Sequence, residues 1–314
     1  MTSYAFQRLG WSCIIVLATT AILFCLIYVI PGDPATMALG PRATPQARAE
    51  LHARMGLDQP VPMQFVRFVG NALRGDLGND IFSKRPVTTI VLEAAPYTVK
   101  LLLAGITWAI LLGIPLGCWS ALRKSSWIDR LIGVGSAIGI ALPAFVVAIY
   151  SLLLFAVTLR WLPAIGAGPS GDFIGQIPFL VMPAFAVGLG WVGYLARLVR
   201  ASMVEVLGEN HVRMLRAFGV SEARILLRFA LPIAVVPTIT VLGVGTGSLI
   251  SSAVLIEVIF NRPGLGKLAY DAVMTRNYPI VTGVVLATSL CYVLCNVAAD
   301  LAVARLDPRV RGAL

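Results

Sequence analysis

The sequence predicts an all-α, polytopic membrane protein with six transmembrane helices. Of its 314 residues, 58% are hydrophobic and 13% are charged, whereas soluble domains carry roughly 25% charged residues. The charges are also unevenly placed, because six runs of 22 to 29 residues contain no Asp, Glu, Lys or Arg. A helix of about 20 apolar residues crosses the hydrocarbon core of a bilayer. This pattern excludes a soluble enzyme, a disordered chain, a disulfide scaffold and the alternating strands of a membrane β-barrel.

The uncharged runs place the predicted spans along the chain. We expect an N-terminal part, residues 1–96, that holds the first span and a long polar segment with short helices, followed by a five-helix core, residues 97–314. The first run follows one cation, Arg8, and shows no small-residue cleavage site, which favours an uncleaved span over a secretory signal. The predicted spans are 9–32, 101–122, 131–159, 173–196, 229–256 and 277–299.

The distribution of Lys and Arg between the short loops predicts the orientation. Thirteen of these cations fall in the loops and termini on one side of the predicted membrane, and four fall on the other side. Cytoplasmic loops carry the excess of Lys and Arg, so both termini and the loop 197–228 are predicted to be cytoplasmic. The net charge of +10 is therefore explained by orientation rather than by binding of nucleic acid.

The segment 33–100, which this orientation places outside, contains two predicted helices. Thr44-Pro45 is an N-cap followed by proline in the first turn, which predicts a helix over 45–56. Residues 63–73 carry apolar side chains at helical spacing, which predicts a helix lying in the membrane interface. Two roles remain open for this segment: a lid over the helix bundle, or a docking surface for an external partner.

A small and polar stretch in the fifth run is the candidate for contact with a transported solute. Small residues also allow close packing of membrane helices, so two interpretations stay open, helix packing and the polar wall of a translocation path. The candidate path residues are Gly243, Gly245, Ser248, Ser251 and Ser252.

No metal or cofactor site is predicted. All five cysteines lie in apolar runs, where cysteine behaves as a small hydrophobe, and the two histidines, His52 and His211, fall on opposite sides of the predicted membrane. The string from Gly188 to Gly193 matches a dinucleotide fingerprint only in letters, because no strand precedes it. Lys267 lacks the spacing of a Walker A lysine. If this protein uses ATP, another chain must hydrolyse it.

The loop 197–228 shows two short helical stretches that are broken at Gly219. Ser221 is a potential N-cap for the second stretch, with Glu222 in its first turn. Apolar residues lie between six arginines in this loop. This composition fits an interfacial helix on anionic lipid, or a knob that enters a groove on a soluble partner.

Residues 213–232 resemble the cytoplasmic signature loop of ABC importer permeases. That signature is Glu-Ala-Ala, three residues, Gly, nine residues, Ile, one residue and Leu-Pro. Gly219 and Leu231-Pro232 match it, whereas residues 213–215 read Arg-Met-Leu and Phe229 replaces Ile.

Further short motifs are similar to those of the dipeptide, oligopeptide and nickel permeases, and they follow the family order along the whole chain. They are residues 31–34 (PGDP), 56–60 (GLDQP), 74–78 (RGDLG), 113–117 (GIPLG), 161–163 (WLP), 262–266 (RPGLG), 277–279 (NYP) and 306–309 (LDPR).

This resemblance implies a type I ABC importer permease of the bacterial inner membrane, in which one span precedes a five-helix core. It implies a second homologous permease, two cytoplasmic ATPase subunits that dock on the signature loops, and a periplasmic solute-binding protein. The loop then couples ATP hydrolysis to movement of a bistable helix bundle. The residues expected to carry the coupling are Arg213, Met214, Leu215, Arg216, Ala217 and Gly219.

Two other functions, a secondary transporter and a membrane-embedded enzyme, are less well supported by the residues than an importer permease. A secondary transporter carries ion-coupling groups near the bilayer midplane, but the six runs contain no Asp, Glu, Lys or Arg. A membrane-embedded enzyme requires a nucleophile with a base, or a metal, and no such group of residues stands out. Within the family, the expected substrates are di- or oligopeptides, with nickel chelates, glutathione and opines as alternatives.

Overall fold

The computed structural model describes residues 2–29, 44–46, 49, 60–169 and 171–306. Within these ranges the chain is helical without strands, and one isolated bridge pairs Asn79 with Pro86. Most of the helix predicted over 45–56 lies outside the described residues. The helices of eight or more residues in the described ranges are α1 (Thr2–Val29), α2 (Val61–Ala72), α3 (Val87–Leu122), α4 (Trp127–Ala141), α5 (Ala144–Ser151), α6 (Phe173–Leu207), α7 (Asn210–Ala217), α8 (Val236–Ile259), α9 (Leu265–Met274) and α10 (Tyr278–Leu306).

Several of these helices are long and apolar enough to cross a membrane. Among the described residues, α3, α6, α8 and the part of α10 over Tyr278–Ala299 each meet this condition, and the bent pair Trp127–Ala141 and Ala144–Thr158 makes a fifth if it counts as one span. At 1.5 Å per residue, the 28 residues of α1 also reach across a 30 Å core, although residues 30–32 of the predicted first span lie outside the described residues. The prediction of an all-α polytopic membrane protein is confirmed.

The uncharged run 131–159 is broken rather than continuous. α4 ends at Ala141, α5 begins at Ala144, and π-helical turns over Leu152–Thr158 extend α5. The two halves meet at an angle of 99°. The break lies at Leu142, whose backbone is extended with φ −77° and ψ 120°, because a following proline disfavours the helical conformation of the residue before it. Pro143 therefore divides this span.

The described chain falls into two compact units. One contains residues 99–262 and the C-terminal part from Leu294, and the other contains Thr2–Thr98 and Pro263–Val293. The predicted division at residues 96/97 stays a prediction.

In the first unit, α6 packs closely against several neighbours through glycines. A Cβ added at Gly188 would lie 2.7 Å from the Gly105 carbonyl oxygen of α3, and one added at Gly193 would lie 2.5 Å from the Ser136 carbonyl oxygen of α4. A Cβ at Gly113 would lie 2.9 Å from the Leu195 side chain. Small residues allow such approaches between membrane helices. The Gly188–Gly193 string therefore serves helix packing.

The second unit is held by an apolar cluster and a buried carboxylate. The cluster includes Val87 and Val91 of α3 with Leu265 of α9 and Val284 of α10. The helix predicted over 63–73 is confirmed as α2. It packs against α1, where the ring centroids of Phe24 and Phe65 are 5.7 Å apart. Its amphipathic sequence is thus used in a contact with α1.

The carboxylate of the second unit belongs to Asp80, whose side chain is 7% exposed. It accepts hydrogen bonds from the backbone N–H groups of Phe82 (3.2 Å) and Ser83 (2.9 Å), from the Ser83 hydroxyl, and from Asn277 Nδ2 at 2.5 Å. Four donors satisfy the buried charge. Asp80 therefore fixes the segment 74–86 to the residue that precedes α10.

Candidate coupling site

The site is a short helix, α7, that stands between α6 and the turns leading into α8. α6 continues as a helix beyond the uncharged run to Leu207, and α7 begins at Asn210. After α7 the chain forms a short helix at Glu222–Arg224, π-helical turns at Ile225–Ala230 and one α-turn at Leu231–Ala234. The signature loop is therefore not irregular: it consists of the short helix α7, a tight turn and a further series of helical turns.

Both ends of this element are anchored in one apolar cluster. Val199, Met203 and Val206 near the end of α6 pack with Ala230 and Ala234 of the returning chain. Within the loop, Val212 and Ile225 are fully buried. Burial of these side chains holds α7 against the bundle, since each buried aliphatic side chain stabilises by about 1.5–3 kcal/mol.

The end of α7 is closed by Gly219 in a left-handed conformation. The backbone N–H of Val220 donates to the Leu215 carbonyl (3.1 Å), and the N–H of Gly219 donates to the Arg216 carbonyl (2.9 Å). These two bonds are those of a Schellman cap, which requires a positive φ at the glycine. Gly219 has φ +75°, and no atom lies within 4 Å of a Cβ built there. The glycine thus forms an open, exposed corner.

The predicted coupling residues lie on the exposed side of this corner. Leu215 is half-buried, and the Met214 side chain is 53% exposed. The structure adds Phe218, which is 76% exposed although it is a large aromatic residue. The other predicted residues, Arg213, Arg216, Ala217 and Gly219, are also exposed.

An ion pair spans the corner. Arg216 donates from Nε to Glu222 Oε1 (2.7 Å) and from a terminal nitrogen to Glu222 Oε2 (3.2 Å). The hydrogen bonds from Arg216 lower the pKa of Glu222, and the same bonds raise the pKa of Arg216. Ser221 stands at the N-cap of the following turn, but its side chain makes no capping hydrogen bond. The predicted N-cap position of Ser221 and first-turn position of Glu222 are confirmed, but the Glu222 carboxylate pairs with Arg216 of α7.

A second ion pair ties α6 to the start of α4 in the same unit. Arg200 donates to both oxygens of the buried Asp129, at 2.5 and 2.7 Å. Asp129 also accepts from the Ser120 hydroxyl (2.5 Å) and from the Ser125 backbone N–H (3.0 Å). Such bidentate, charge-assisted bonds fix geometry, so α3, α4 and α6 are joined two turns before α6 ends.

The candidate path residues divide into two groups in α8. A Cβ at Gly243 would overlap the Ala299 side chain of α10, and a Cβ at Gly245 would overlap the Trp191 ring of α6, so both glycines permit close helix contacts. The hydroxyls of three serines donate to carbonyls of their own helix. They are Ser248 to Gly245 (2.8 Å), Ser251 to Gly247 (3.1 Å) and Ser252 to Ser248 (2.9 Å).

No group of three or more His, Cys, Asp or Glu side chains that could hold a metal occurs among the described residues.

Comparison with known proteins identifies the family. Residues 113–312 match the family described as binding-protein-dependent transport system inner membrane component, and residues 1–102 match its N-terminal family. The chain belongs to this family.

Two relatives cover essentially its whole length. The glutathione transport system permease protein GsiC of Salmonella typhimurium is 34% identical over 99% of both chains. The probable peptide ABC transporter permease protein y4tP of Sinorhizobium fredii is 36% identical over 99% of this chain and 100% of its own. The chain is therefore a multi-pass permease component of a binding-protein-dependent importer.

The fold agrees with this assignment. A structure of the MetNI methionine ABC transporter in an inward-facing conformation matches 69% of the permease and 96% of the solved chain, with a TM-score of 0.54 and 15% sequence identity. This likeness supports the helical fold alone.

Of the residues that sequence reasoning left out of the site, Phe218 and Glu222 are the most prominent in the permease. The signal for Phe218 is its position one residue before the signature glycine, which places a large aromatic side chain at the end of a charged helix. The signal for Glu222 was weaker, because its spacing of six residues from Arg216 becomes a contact only through the turn at Gly219.

Proposed function

We propose that the permease is the membrane-spanning subunit of an importer that moves di- or oligopeptides and is driven by separate ATPase subunits. The observation that supports this most directly is α7 with its corner, where Met214 and Phe218 are exposed between arginines outside the apolar spans. Met214 and Phe218 are four residues apart, and an exposed apolar patch rimmed by polar residues is typical of an interaction site.

The coupling element is the segment 213–219 with Phe218 at its end. Binding hot spots are enriched in large side chains that enter a pocket and are surrounded by polar contacts. Phe218 has the size for such an anchor, and Arg213 and Arg216 supply the charged rim. The Schellman cap at Gly219 holds the anchor in one orientation, which lowers the entropy lost on docking.

The partners follow from this arrangement. Two cytoplasmic ATPase subunits dock on the coupling elements of this chain and of a second, homologous permease, and a periplasmic solute-binding protein delivers the solute. This chain holds no Walker A sequence, so ATP hydrolysis belongs to the docked subunits. The termini and α7 are cytoplasmic, as the distribution of Lys and Arg predicts.

The substrate class is proposed from the relatives. One is named as a glutathione permease and another as a probable peptide permease, and glutathione is itself a short peptide. Di- or oligopeptides are therefore the first candidate and glutathione is the second.

Purification from native membranes tests the proposed assembly. The tagged permease is extracted in mild detergent, and the chains that accompany it are identified by mass spectrometry. We expect a second permease and a chain with a Walker A motif, in a complex that hydrolyses ATP. Transport by the isolated chain in liposomes, driven by an ion gradient without ATP, would contradict the proposal.

Thiol labelling tests the orientation. In a variant without native cysteines, Leu73→Cys and Ser221→Cys place single thiols at exposed positions. With the outer membrane permeabilised, an impermeant maleimide labels Leu73→Cys in intact cells and labels Ser221→Cys only after lysis. The opposite pattern would reverse the proposed topology.

A further inference from the structure

The exposed side of α6 carries a polar stripe that its packing role does not explain. Trp191 is partly exposed, and four residues that follow it at helical spacing are exposed: Tyr194, Arg197, Ala201 and Glu205. Most of the remaining surface of α6 between Met182 and Val206 is buried against other helices. One face of α6 is therefore not covered by other helices, and it carries the Tyr194 phenol and the Arg197 guanidinium.

α8 presents a matching open face. Val244, Ser248, Ser251 and Leu255 are exposed, and their spacing of three or four residues places them on one side of the helix. Gly245 lies beside this side, and its α-carbon faces the Trp191 ring. Trp191 is the nineteenth residue of the 35 in α6 and Gly245 the tenth of the 24 in α8, so the contact lies near the middle of both helices.

The polar groups lie on both sides of this contact. Successive spans run in opposite directions, so the serines that follow Gly245 lie towards the beginning of α6, whereas Tyr194 and Arg197 lie towards its end. Trp191 and Tyr194 contact each other edge to face, with ring centroids 5.7 Å apart. The two open faces therefore form one surface, with hydroxyls at one end, an aromatic pair in the middle and a cation at the other end.

Lipid does not suit the charged end of this surface. Charged side chains that face hydrocarbon are costly, and in membrane proteins they face the bundle interior or a water-filled cavity, whereas the Ser248 and Ser251 hydroxyls already bond to carbonyls of α8. Arg200, one turn beyond Arg197, is neutralised by the buried Asp129, whereas Arg197 has no ion-pair partner within the described part of the chain. Arg197 thus supplies an uncompensated positive charge.

We infer that the surface formed by Trp191, Tyr194, Arg197, Ser248 and Ser251 lines the solute path, and that Arg197 with the Tyr194 hydroxyl attracts a carboxylate group of the solute. The inference rests on the proposed function, because peptides and glutathione carry free carboxylates. Guanidinium and hydroxyl donors are the groups that recognise carboxylate. The Trp191 ring separates the hydroxyl part of the path from the cationic part.

Thiol reactivity tests this without a known substrate. The assembled transporter, free of native cysteines, is placed in nanodiscs, and single cysteines are introduced as Tyr194→Cys and Ser248→Cys. Leu111→Cys is the control, because Leu111 is 64% exposed, more than Tyr194 at 44%, and its exposed neighbours Ile110 and Leu112 are apolar. Rates are measured with an anionic and a cationic methanethiosulfonate, nucleotide-free and after vanadate trapping.

We expect both path positions to react at least ten times faster than Leu111→Cys in one of the two states, because thiolates form only where water reaches. Adding Arg197→Gln to Tyr194→Cys should lower the ratio of anionic to cationic rates by about tenfold, the effect of one unit charge at about 6 Å in water acting with opposite signs on the two reagents. Arg197→Lys should keep the ratio.

Two results would overturn the inference. Cysteines at 194 and 248 that react no faster than Leu111→Cys in both states would show that lipid or a second permease covers this surface. If the cysteines react fast but Arg197→Gln leaves the ratio of anionic to cationic rates unchanged, Arg197 does not form a carboxylate site. Failure of the proposed function is distinguished separately, because it would appear as absence of the ATPase from the purified complex.

Discussion

Two turn-rich segments of the permease, residues 74–86 and 208–224, are built from similar parts but place their charged groups in opposite environments. Both contain glycines of positive φ, at Gly75 (+81°) and Gly219 (+75°). In the first segment a charged side chain, Asp80, is buried and satisfied by four donors. In the second the ion pair between Arg216 and Glu222 is exposed. Each segment also exposes one phenylalanine, Phe82 in the first (57%) and Phe218 in the second (76%).

The difference separates a segment that keeps its own shape from one that presents a surface. Asp80 uses its hydrogen-bonding capacity within the second unit, so substitutions there should change stability. Phe218 and Met214 gain nothing from their exposure in the isolated chain, so substitutions there should change the interaction with a partner. Four pairs of variants, each a test substitution and a control substitution of the same residue type, test this distinction.

The largest expected effect is that of Gly219→Asp. No atom lies within 4 Å of a Cβ at Gly219, so the substitution costs only about 1–2 kcal/mol of backbone strain and leaves the spans folded. It sets a carboxylate on the proposed docking surface, and we expect solute uptake to fall at least tenfold at a normal amount of permease in the membrane.

Gly75→Asp is the matched control, because Gly75 has the same backbone conformation and the same open space. It should leave uptake within about twofold of wild type, since strain of this size is small beside typical stabilities. Equal losses in the two variants would show that strain, and not docking, explains the effect.

Phe218→Ala should weaken ATPase binding without destabilising the permease. Truncation of an interface anchor costs about 2 kcal/mol or more, so the ATPase recovered with the permease at limiting concentration should fall by more than tenfold. Phe82→Ala, which truncates an exposed phenylalanine in the segment 74–86, should leave this recovery unchanged. Normal ATPase binding by Phe218→Ala would show that another residue is the anchor.

Asp80→Ala should destabilise the permease with little direct effect on ATPase binding. Removal of the carboxylate leaves the Asn277 amide and the Ser83 hydroxyl without their buried acceptor, at a cost of about 2–3 kcal/mol. Asp76, which accepts one hydrogen bond from the Gly78 backbone N–H, provides the control variant Asp76→Ala. Thermal unfolding in detergent should show a clear decrease in Tm for Asp80→Ala only.

The same carboxylate makes stability depend on pH. Burial raises the pKa of Asp80, but hydrogen bonds from Ser83, Asn277 and Phe82 outweigh this and hold the pKa below its usual value. A lowered pKa in the folded state means that the stabilisation is present above the unfolded pKa of about 3.9 and is lost as the pH falls through the folded pKa. Between pH 5 and the acid limit of stability, Tm should therefore fall less in Asp80→Asn than in wild type.

The smallest effects are expected for Arg216→Ala and its control Arg85→Ala. Both arginines form exposed ion pairs, with Glu222 and Glu93 respectively, and exposed pairs contribute little to stability. Neither variant should change Tm measurably. Arg216→Ala should reduce uptake about two- to fivefold by loosening the corner beside Phe218. A change of the same size in Arg85→Ala would remove the proposed role of the Arg216–Glu222 ion pair.

The sequence predicts the helical class and the positions of the spans because charge is excluded from the hydrocarbon. It underestimates helix length, since α6 reaches Leu207 and α3 begins at Val87. Lys100 and Arg197 end uncharged runs but lie inside α3 and α6, so a charged residue bounds an apolar run without ending its helix. The bend at Pro143 follows from local sterics, whereas its angle depends on packing.

For the candidate coupling site, the sequence predicts the local conformation but not the contacts between its side chains. Gly219 as a helix terminator follows from the residue type, and the structure agrees. The Arg216–Glu222 pair depends on how the chain turns after Gly219, and Asp129 with Arg200 depends on the packing of α4 against α6. Pairs that are 71 residues apart in the chain have no signature in local sequence.

The glycine contacts of α6 also bear on how movement would pass through the permease. Where the Gly188 and Gly105 backbones touch, or Gly193 meets Ser136, no flexible side chain lies between the helices. With Arg200 and Asp129 joined near the end of the same helices, we expect this part of α3, α4 and α6 to move as one body. On the proposed coupling role of α7, a displacement applied there would then reach the membrane-spanning part of these helices with little change in their packing.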